Sequence, residues 1–383
     1  MSSLDELLAA GAKEGVFPQA QAVVLQAGQP VVQGLAGSTT SETVFDLASL
    51  TKILSTTSLF MAAWGEGKLG PETRVARFFP ESASGKAGVT LSDLLFHSSG
   101  LPAFVPYFAR VMPAVPELFD DKTPRKVWYE VRGELVNAIF TTGLRKTPGE
   151  EAVYSDVGFL QLGEILSKVY GASLDEIFQQ RIARPLTLGL AFRRISSHPG
   201  KEGVAITGLR RPRDPAPGQK KVWEPFPQIE RPNVADVDDD NAWVMDGVAG
   251  HAGVFGTAAD VARFGQLVLE ELEGAGRIAP APLWKLALSR DGKTPNTTRA
   301  MGFDTPSATG SSAGQFLGNR TPGAVGHTGF TGTSLWIDLP RKLSVALVTN
   351  RVAFGRTNNK MVAFRPRFHD EVMKRLGLHQ MPS

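Results

Sequence analysis

Two residues three positions apart, Ser49 and Lys52, offer this chain a nucleophile and a base. They stand in Leu47-Ala48-Ser49-Leu50-Thr51-Lys52-Ile53-Leu54, part of a run to Trp64 that holds no other charge; Asp46 and Glu66 are the nearest charged residues. The run is apolar on nearly every side, so a helix built from it is buried. At i and i+3 the hydroxyl and the amine share one helix face. Burial pushes a lysine pKa down toward the neutral amine, and a neutral amine beside a hydroxyl can take its proton. A serine and a lysine at this spacing are expected by chance about once in a chain this long, and the pair occurs once. The apolar setting therefore carries the reading, because a surface helix would give the lysine other charges to face.

Two further triplets join the pair. Tyr154-Ser155-Asp156 follows a Pro148-Gly149 turn and precedes an apolar segment from Phe159; alone it reads as a half-buried ring at a helix start. His327-Thr328-Gly329 precedes a strand pair and alone reads as a turn. Other motifs fail in their context. Gly310-Ser311-Ser312-Ala313-Gly314 matches a nucleophile elbow, which needs a buried strand before it and a helix after it. Neither Thr305–Thr309 nor Gly318–Gly323 supplies that, so a loop is expected. Asp236, Asp238 and Asp240 alternate as in a calcium loop, but Asn241 replaces the turn glycine and Gly247 the final glutamate; a solvated acidic loop is expected. Arg210, Arg211, Arg213, Lys220 and Lys221 lack interleaved aromatic residues, which favours a surface face over a nucleic-acid site. The six histidines show no zinc-type pairing and no phosphate-binding glycine pattern is complete, so neither metal nor cofactor is expected.

The elements that must position these residues follow from pattern. Leu4–Ala12 reads as a short amphipathic helix, and Ala22–Leu25 and Val31–Leu35 as a hairpin turning at Ala27-Gly28-Gln29-Pro30. The buried helix starts at Ser49 and ends near Gly65 and Gly67. Thr90-Leu91-Ser92-Asp93 has a capping-box pattern opening a short helix, and Thr257-Ala258-Ala259-Asp260 caps another. Phe159–Tyr170 is apolar at helical spacing and stops at Gly171. About Gly200 to Asp240, proline and charge predict a long surface excursion. Ser334–Leu339 and Leu343–Thr349 form an antiparallel pair, and Pro366–Leu376 a last helix with its proline in the first turn. Strands at both ends around a helical middle predict an α+β fold. Its expected domains are a discontinuous sheet domain, 1–75 with 245–383, and a mostly helical domain, 76–244, carrying the surface loop near 200–240.

Bulk properties narrow the class. The 383 residues allow one large or two medium domains, and 42% hydrophobic with 21% charged residues is ordinary for a soluble globular protein. The 41 basic and 38 acidic residues leave a net charge of +3, too small an excess to imply nucleic acid. Zero cysteines exclude disulfides, thiol catalysis and thiolate metal sites. The first eight residues carry two acids and no apolar core, and no run approaches a membrane span; a cytoplasmic location without a membrane partner is the expectation.

Taken in order and at these wide separations, Ser49-Leu50-Thr51-Lys52, Tyr154-Ser155-Asp156 and His327-Thr328-Gly329 resemble the serine β-lactamase and penicillin-binding protein family. The similar branch is the class C-like one, with its D-alanyl-D-alanine carboxypeptidases, D-aminopeptidases and β-lactamase-type esterases. Thr90–Pro102 and Gly250–Asp260 resemble further stretches of the same family, so the likeness spans most of the chain. It implies a β-lactamase-like fold, an antiparallel sheet flanked by helices plus a mostly helical insertion. It also implies roles. Ser49 attacks a carbonyl and forms an acyl-enzyme; Lys52 and Tyr154 move its proton, in an order the sequence leaves open. The oxyanion hole comes from the backbone N–H groups of Ser49 and Phe330, and Asp156, His327, Thr328 and Gly329 bind substrate.

Two departures bear on the substrate. Class C β-lactamases usually carry asparagine where this chain has Asp156; an ionised aspartate donates no hydrogen bond and pairs with Lys52 instead. They carry lysine where this chain has His327, which is mostly neutral at pH 7. Weight shifts to esters or small amides lacking the β-lactam carboxylate. Arg351 and Arg356, expected as exposed strand-end charges, are the alternative source of a cation. A D-amino-acid peptidase, a β-lactamase and a catalytically drifted binding protein remain the competing readings.

Overall fold

The structure, a computed structural model, describes residues 2–80, 85–111, 114–115, 118, 123–209, 232–290, 292–317 and 323–379. Its centre is a six-stranded sheet with the order Ser2–Ser3, Gln29–Ala36, Ala20–Gln26, Leu343–Thr349, Ser334–Asp338, Ala324–Thr328. All neighbours are antiparallel except the first pair. The hairpin and the C-terminal strand pair expected from sequence are both present. Every residue of Ser334–Asp338 and Leu343–Thr349 is buried, so both faces of the sheet are covered.

Alternation decides what each face meets. Leu335, Ile337, Ala346 and Val348 join the larger core, which contains the helix Ala258–Leu272 and the segment from Leu50 to Ala63. Trp336, Val345 and Leu347 join a second core against Leu4, just before the helix Asp5–Lys13, Leu8 within it, and Phe364 and Phe368 of the helix Met361–Arg375. The last helix begins before the proline rather than at it. Pro366 therefore sits inside the helix, where it forgoes a bond to the carbonyl of Val362, a residue 73% exposed.

Helices fill the middle of the chain. Arg125–Thr141, Asp156–Tyr170 and the short Leu91–Leu95 pack into the larger core. The expected capping boxes form at Thr90 with Asp93 and at Thr257 with Asp260, and Gly171 ends its helix at φ 68°. Small sheets join distant segments: Phe45–Asp46, Val254–Gly256 and Ala191–Phe192 make one, Ile206–Leu209 and Pro232–Val234 another. The five basic residues Arg210, Arg211, Arg213, Lys220 and Lys221 lie outside the described residues. The acidic end of that excursion is not the solvated loop expected. Asp238 and Asp240 are buried and pair with Arg356, at 3.2 and 2.7 Å, because the fold returns them to the core beside that guanidinium. Among the described residues no helix is long and apolar enough to cross a membrane.

One close crossing positions the site. Gly163, on the helix Asp156–Tyr170, meets Gly250 so closely that a Cβ on Gly163 would lie 2.9 Å from the Gly250 Cα. A Cβ on Gly250 would in turn overlap the Phe159 carbonyl oxygen. The approach lets the Gly250 carbonyl accept the Thr56 hydroxyl at 2.6 Å and the next carbonyl reach Lys52. Gly250→Ala is accordingly expected to destabilise the protein by about 1–3 kcal/mol, the usual range for overpacking. Chemical denaturation checks this; an unchanged midpoint would mean the helix can move aside.

Candidate active site

The segment carrying Ser49 is helical in three registers: a 3-10 turn at Ala48–Leu50, a π-helical stretch at Lys52–Thr57 and an α-helix at Ser58–Gly65. Some of its hydroxyls bond to backbone. The Thr51 hydroxyl accepts the Val254 N–H, and the Ser58 hydroxyl donates to the Ile53 carbonyl. These bonds offset part of the cost of burying the run, whereas Ser55 Oγ and Thr57 Oγ1 have no partner among the described residues.

Lys52 has no exposed surface, and its three ammonium donors all have acceptors. Nζ lies 3.0 Å from Ser49 Oγ, 2.8 Å from Asp156 Oδ1 and 3.2 Å from the His251 carbonyl. The pairing with Asp156 is the one expected from sequence. The protonation state is not. Burial does push Lys52 down, but the Asp156 carboxylate, helped by Tyr154 once that ionises, outweighs it, and the amine is held above its ordinary value. Tyr154, in hydrogen-bond contact with Lys52 and Ser49, is raised as well: burial outweighs the pull of the neighbouring ammonium. At neutral pH the pair is thus an ammonium beside a neutral phenol.

Tyr154 is set by a clamp. The N–H groups of Val153 and Asp156 donate to the His97 and Ala103 carbonyls, both at 2.9 Å, and that of Ser155 to His97 Nδ1 at 3.0 Å. Ser155 then caps the helix Asp156–Tyr170. The imidazole of His97 lies 4.7 Å from the phenol ring, and burial followed by the Arg299 and Lys52 charges keeps it neutral.

His327 closes the opposite side, its ring 5.7 Å from that of Tyr154. It is 3% exposed, and burial, then Lys52, hold its pKa well below 6.5. In the neutral ring Nδ1 donates to the Thr328 carbonyl at 2.7 Å, which leaves Nε2 an acceptor with no partner among the described residues. The next turn is closed by Gly329 N–H to Thr333 carbonyl at 2.8 Å and Gly332 N–H to Gly329 carbonyl at 3.0 Å. A Cβ on Gly329 would overlap the Thr333 hydroxyl, so glycine is required there for space.

Ser49, Tyr154, Asp156, His327, Thr328, Gly329 and Phe330 line one cleft of about 560 Å³, with Lys52 buried behind them. Every site residue expected from sequence is therefore in one place, and Ser312 does not line the cleft. Arg351 and Arg356 are not exposed strand-end charges: both are largely buried and line it too. Arg356 is bound to Asp238 and Asp240. Arg351 donates to the carbonyls of Phe330 and Asn358 and covers the Phe330 ring at 4.4 Å. Arg365, unsuspected from sequence, donates to the Gly329 and Thr333 carbonyls at 3.1 Å while its Nε has no partner. Burial and then Arg351 push Arg365 down to about 10. Arg299 lies 5.3 Å from the Tyr154 ring and pairs with Asp304 at 3.3 Å. No local sequence signal marks Arg299 or Arg365; His97 stood in the quoted Thr90–Pro102 stretch without being singled out.

The family model for Beta-lactamase matches residues 4–364. The chain belongs to that family. It is 28% identical over 322 residues to a putative D-alanyl-D-alanine carboxypeptidase of Escherichia coli K12, covering 82% of this chain and 70% of that one. The fold is similar to that of an octameric penicillin-binding protein homologue from Pyrococcus abyssi, with a TM-score of 0.68 at 19% identity, over 97% of this chain and 76% of that one. It is similar also to EstCE1, a hydrolase with promiscuous acyltransferase activity: TM-score 0.63, 19% identity, 94% and 96% covered. The antiparallel sheet flanked by helices is the fold of these β-lactamase-family hydrolases.

Asp156 gives the pH dependence its sign. It raises Lys52, so in Asp156→Asn burial is opposed by less and the amine loses its proton at lower pH. The acid limb of covalent labelling at Ser49 is expected to move to lower pH in this variant. Labelling by a fluorophosphonate across pH checks it, and an unmoved limb would separate Lys52 from nucleophile activation.

Proposed function

We propose that this β-lactamase-family protein is a serine hydrolase working through an acyl-enzyme on small esters or amides. The single observation behind this is Ser49 Oγ, 3.0 Å from a fully buried lysine amine and lining the cleft. Lys52 in its neutral form takes the Ser49 proton as Oγ bonds the carbonyl carbon, and the carbonyl electrons move onto oxygen. The oxyanion is met by the N–H groups of Ser49 and Phe330. On collapse the bond to the leaving group breaks, and the Tyr154 hydroxyl gives that group a proton while taking one from Lys52. Water then adds to the acyl carbon with its proton passing to Lys52 through Tyr154, and Ser49 leaves with a proton restored. Because Lys52 rests as an ammonium, the rate rises with pH through the neutral range.

This reading is supported or lost on one experiment. Intact-protein mass spectrometry after a fluorophosphonate probe is expected to show one adduct, mapped to Ser49. Ser49→Ala abolishes it and turnover together, whereas Ser312→Ala leaves both near wild type. An adduct on Ser312 would sink the assignment.

A second reading is favoured by Arg351 and Arg365. Neither guanidinium has a carboxylate within ion-pair distance among the described residues, and both face the cleft whose His327 is neutral. A carboxylate-bearing substrate such as a D-alanyl peptide, the substrate named in the E. coli relative's description, fits that pair. An activated ester needs only the nucleophile, the proton path and the oxyanion donors. Short-chain p-nitrophenyl esters are therefore expected to exceed nitrocefin in kcat/KM, since Asp156 is engaged with Lys52 and His327 presents no cation. A preference for nitrocefin would contradict this, and release of D-alanine from D-alanyl-D-alanine peptides at rates above the esters would favour the second reading.

A further inference from the structure

Asp46, three residues before Ser49, is 3% exposed. Its Oδ1 accepts the Ala48 N–H at 2.9 Å and its Oδ2 the Asp238 N–H at 2.8 Å. Its carbonyl accepts the Thr331 hydroxyl at 2.8 Å, and the next carbonyl, of Leu47, accepts that of Thr333 at 3.2 Å. Ala48, immediately before Ser49, has φ 47°, in the left-handed region that a β-carbon disfavours. Such strain persists only where the surroundings over-determine it. Here the constraint comes from the Asp46 carboxylate on one side and the Gly329–Thr333 turn on the other.

We propose that Asp46 is a positioning residue: by accepting the N–H groups of Ala48 and Asp238, it holds the strained Ala48–Ser49 turn against the Gly329–Thr333 turn, so that the N–H groups of Ser49 and Phe330 converge on one oxyanion. The inference rests on the acyl-enzyme reading above. Only a carboxylate serves two N–H donors with two acceptor oxygens. An asparagine keeps one acceptor and turns its NH2 toward the other donor.

Protonation of Asp46 has the same effect as that substitution. Burial, opposed by the two N–H bonds and reinforced by Asp238 and Asp239, brings its pKa up to about 7. The charged and titratable groups around it are Asp238 and Asp239, Arg356 bound to Asp238 and Asp240, Arg351 beside Arg356, His251 bound to Asp239, and the Lys52–Asp156 pair beyond Ser49. Activity is lost as pH falls through about 7. Stability moves the other way. The folded pKa exceeds the ordinary value of 3.8, so the folded state binds more protons, and Asp46 lowers stability as pH rises from about 4 to 7. Titration of Asp46 therefore lowers activity on acidification without itself lowering stability.

The test follows p-nitrophenyl butyrate hydrolysis, Ser49 labelling and thermal unfolding in wild type and Asp46→Asn, from about pH 5.5 to 9. In wild type, log kcat/KM is expected to fall more steeply below about pH 7 than above it, with no parallel drop in Tm. Asp46→Asn is expected to lower kcat about 10- to 100-fold with KM changed less than about threefold, and to remove the bend. Wild-type kcat in the variant, or a bend that persists in it, would overturn the proposal. Should the variant not fold, the wild-type profile decides: a missing bend, or one that follows Tm, refutes it. A wild type unlabelled at Ser49 overturns the acyl-enzyme reading and this inference with it, a result distinct from the failure of Asp46→Asn alone.

Discussion

A lysine ammonium with no exposed surface, inside an apolar helix, is the constraint on which the rest of the site depends. Removing such an ion from water costs several kcal/mol even after relaxation. Lys52 recovers this through three acceptors from three segments: Ser49 on its own helix, Asp156 at the start of another, and the His251 carbonyl from the glycine-rich stretch before Val254–Gly256. Each acceptor needs its segment at one distance. Gly163 and Gly250 have no side chains because helix and loop must touch for the His251 carbonyl to arrive. Ser155 caps its helix so that Asp156, the first helical residue, points its carboxylate at the amine.

The same charge organises its neighbours. His97 and His327 are both buried, and the Lys52 ammonium contributes to keeping each neutral. Neither His97 nor His327 therefore supplies a second cation near Ser49. The cleft's further positive charge comes instead from arginines, which stay protonated when desolvated. Arg356 is balanced by Asp238 and Asp240, whereas Arg351 and Arg365 rest on backbone carbonyls. A neutral wall at His327 and cations along the Gly329–Thr333 turn distinguish this cleft from one with a lysine in the strand.

How much of this was legible in sequence depended on the range of the signal. The capping boxes at Thr90 and Thr257, the Gly171 stop and the Leu343–Thr349 strand pair are local patterns and were read correctly. Ser49 and Lys52 share one helix turn, so their contact followed from spacing. Tyr154 and His327 came from resemblance, since nothing local says that chain segments so far apart in sequence meet. The state of Lys52 was misread because, although the pairing with Asp156 was expected, composition shows burial and does not show how near a partner 104 residues away comes. The acidic Asp236–Asp240 segment was misread for the same reason: its partner Arg356 lies 116 residues on from Asp240. Arg365 was missed because a lone arginine in an amphipathic helix looks like any solvated one.

Ser49 is thus held from two sides by two buried ionisable groups of opposite sign. Lys52 contacts its oxygen from within the helix, and Asp46 holds the backbone just ahead of it. Neither group is stable where it is without the rest of the fold. Lys52 requires the helix Asp156–Tyr170 and the loop at His251, and Asp46 requires the segment at Asp238. An isolated Ala48–Gly65 helix would release the positive φ of Ala48 and hydrate the lysine, and the nucleophile would be an ordinary serine. The geometry at Ser49 is a property of the assembled sheet and helices, and the short motif marks where they converge.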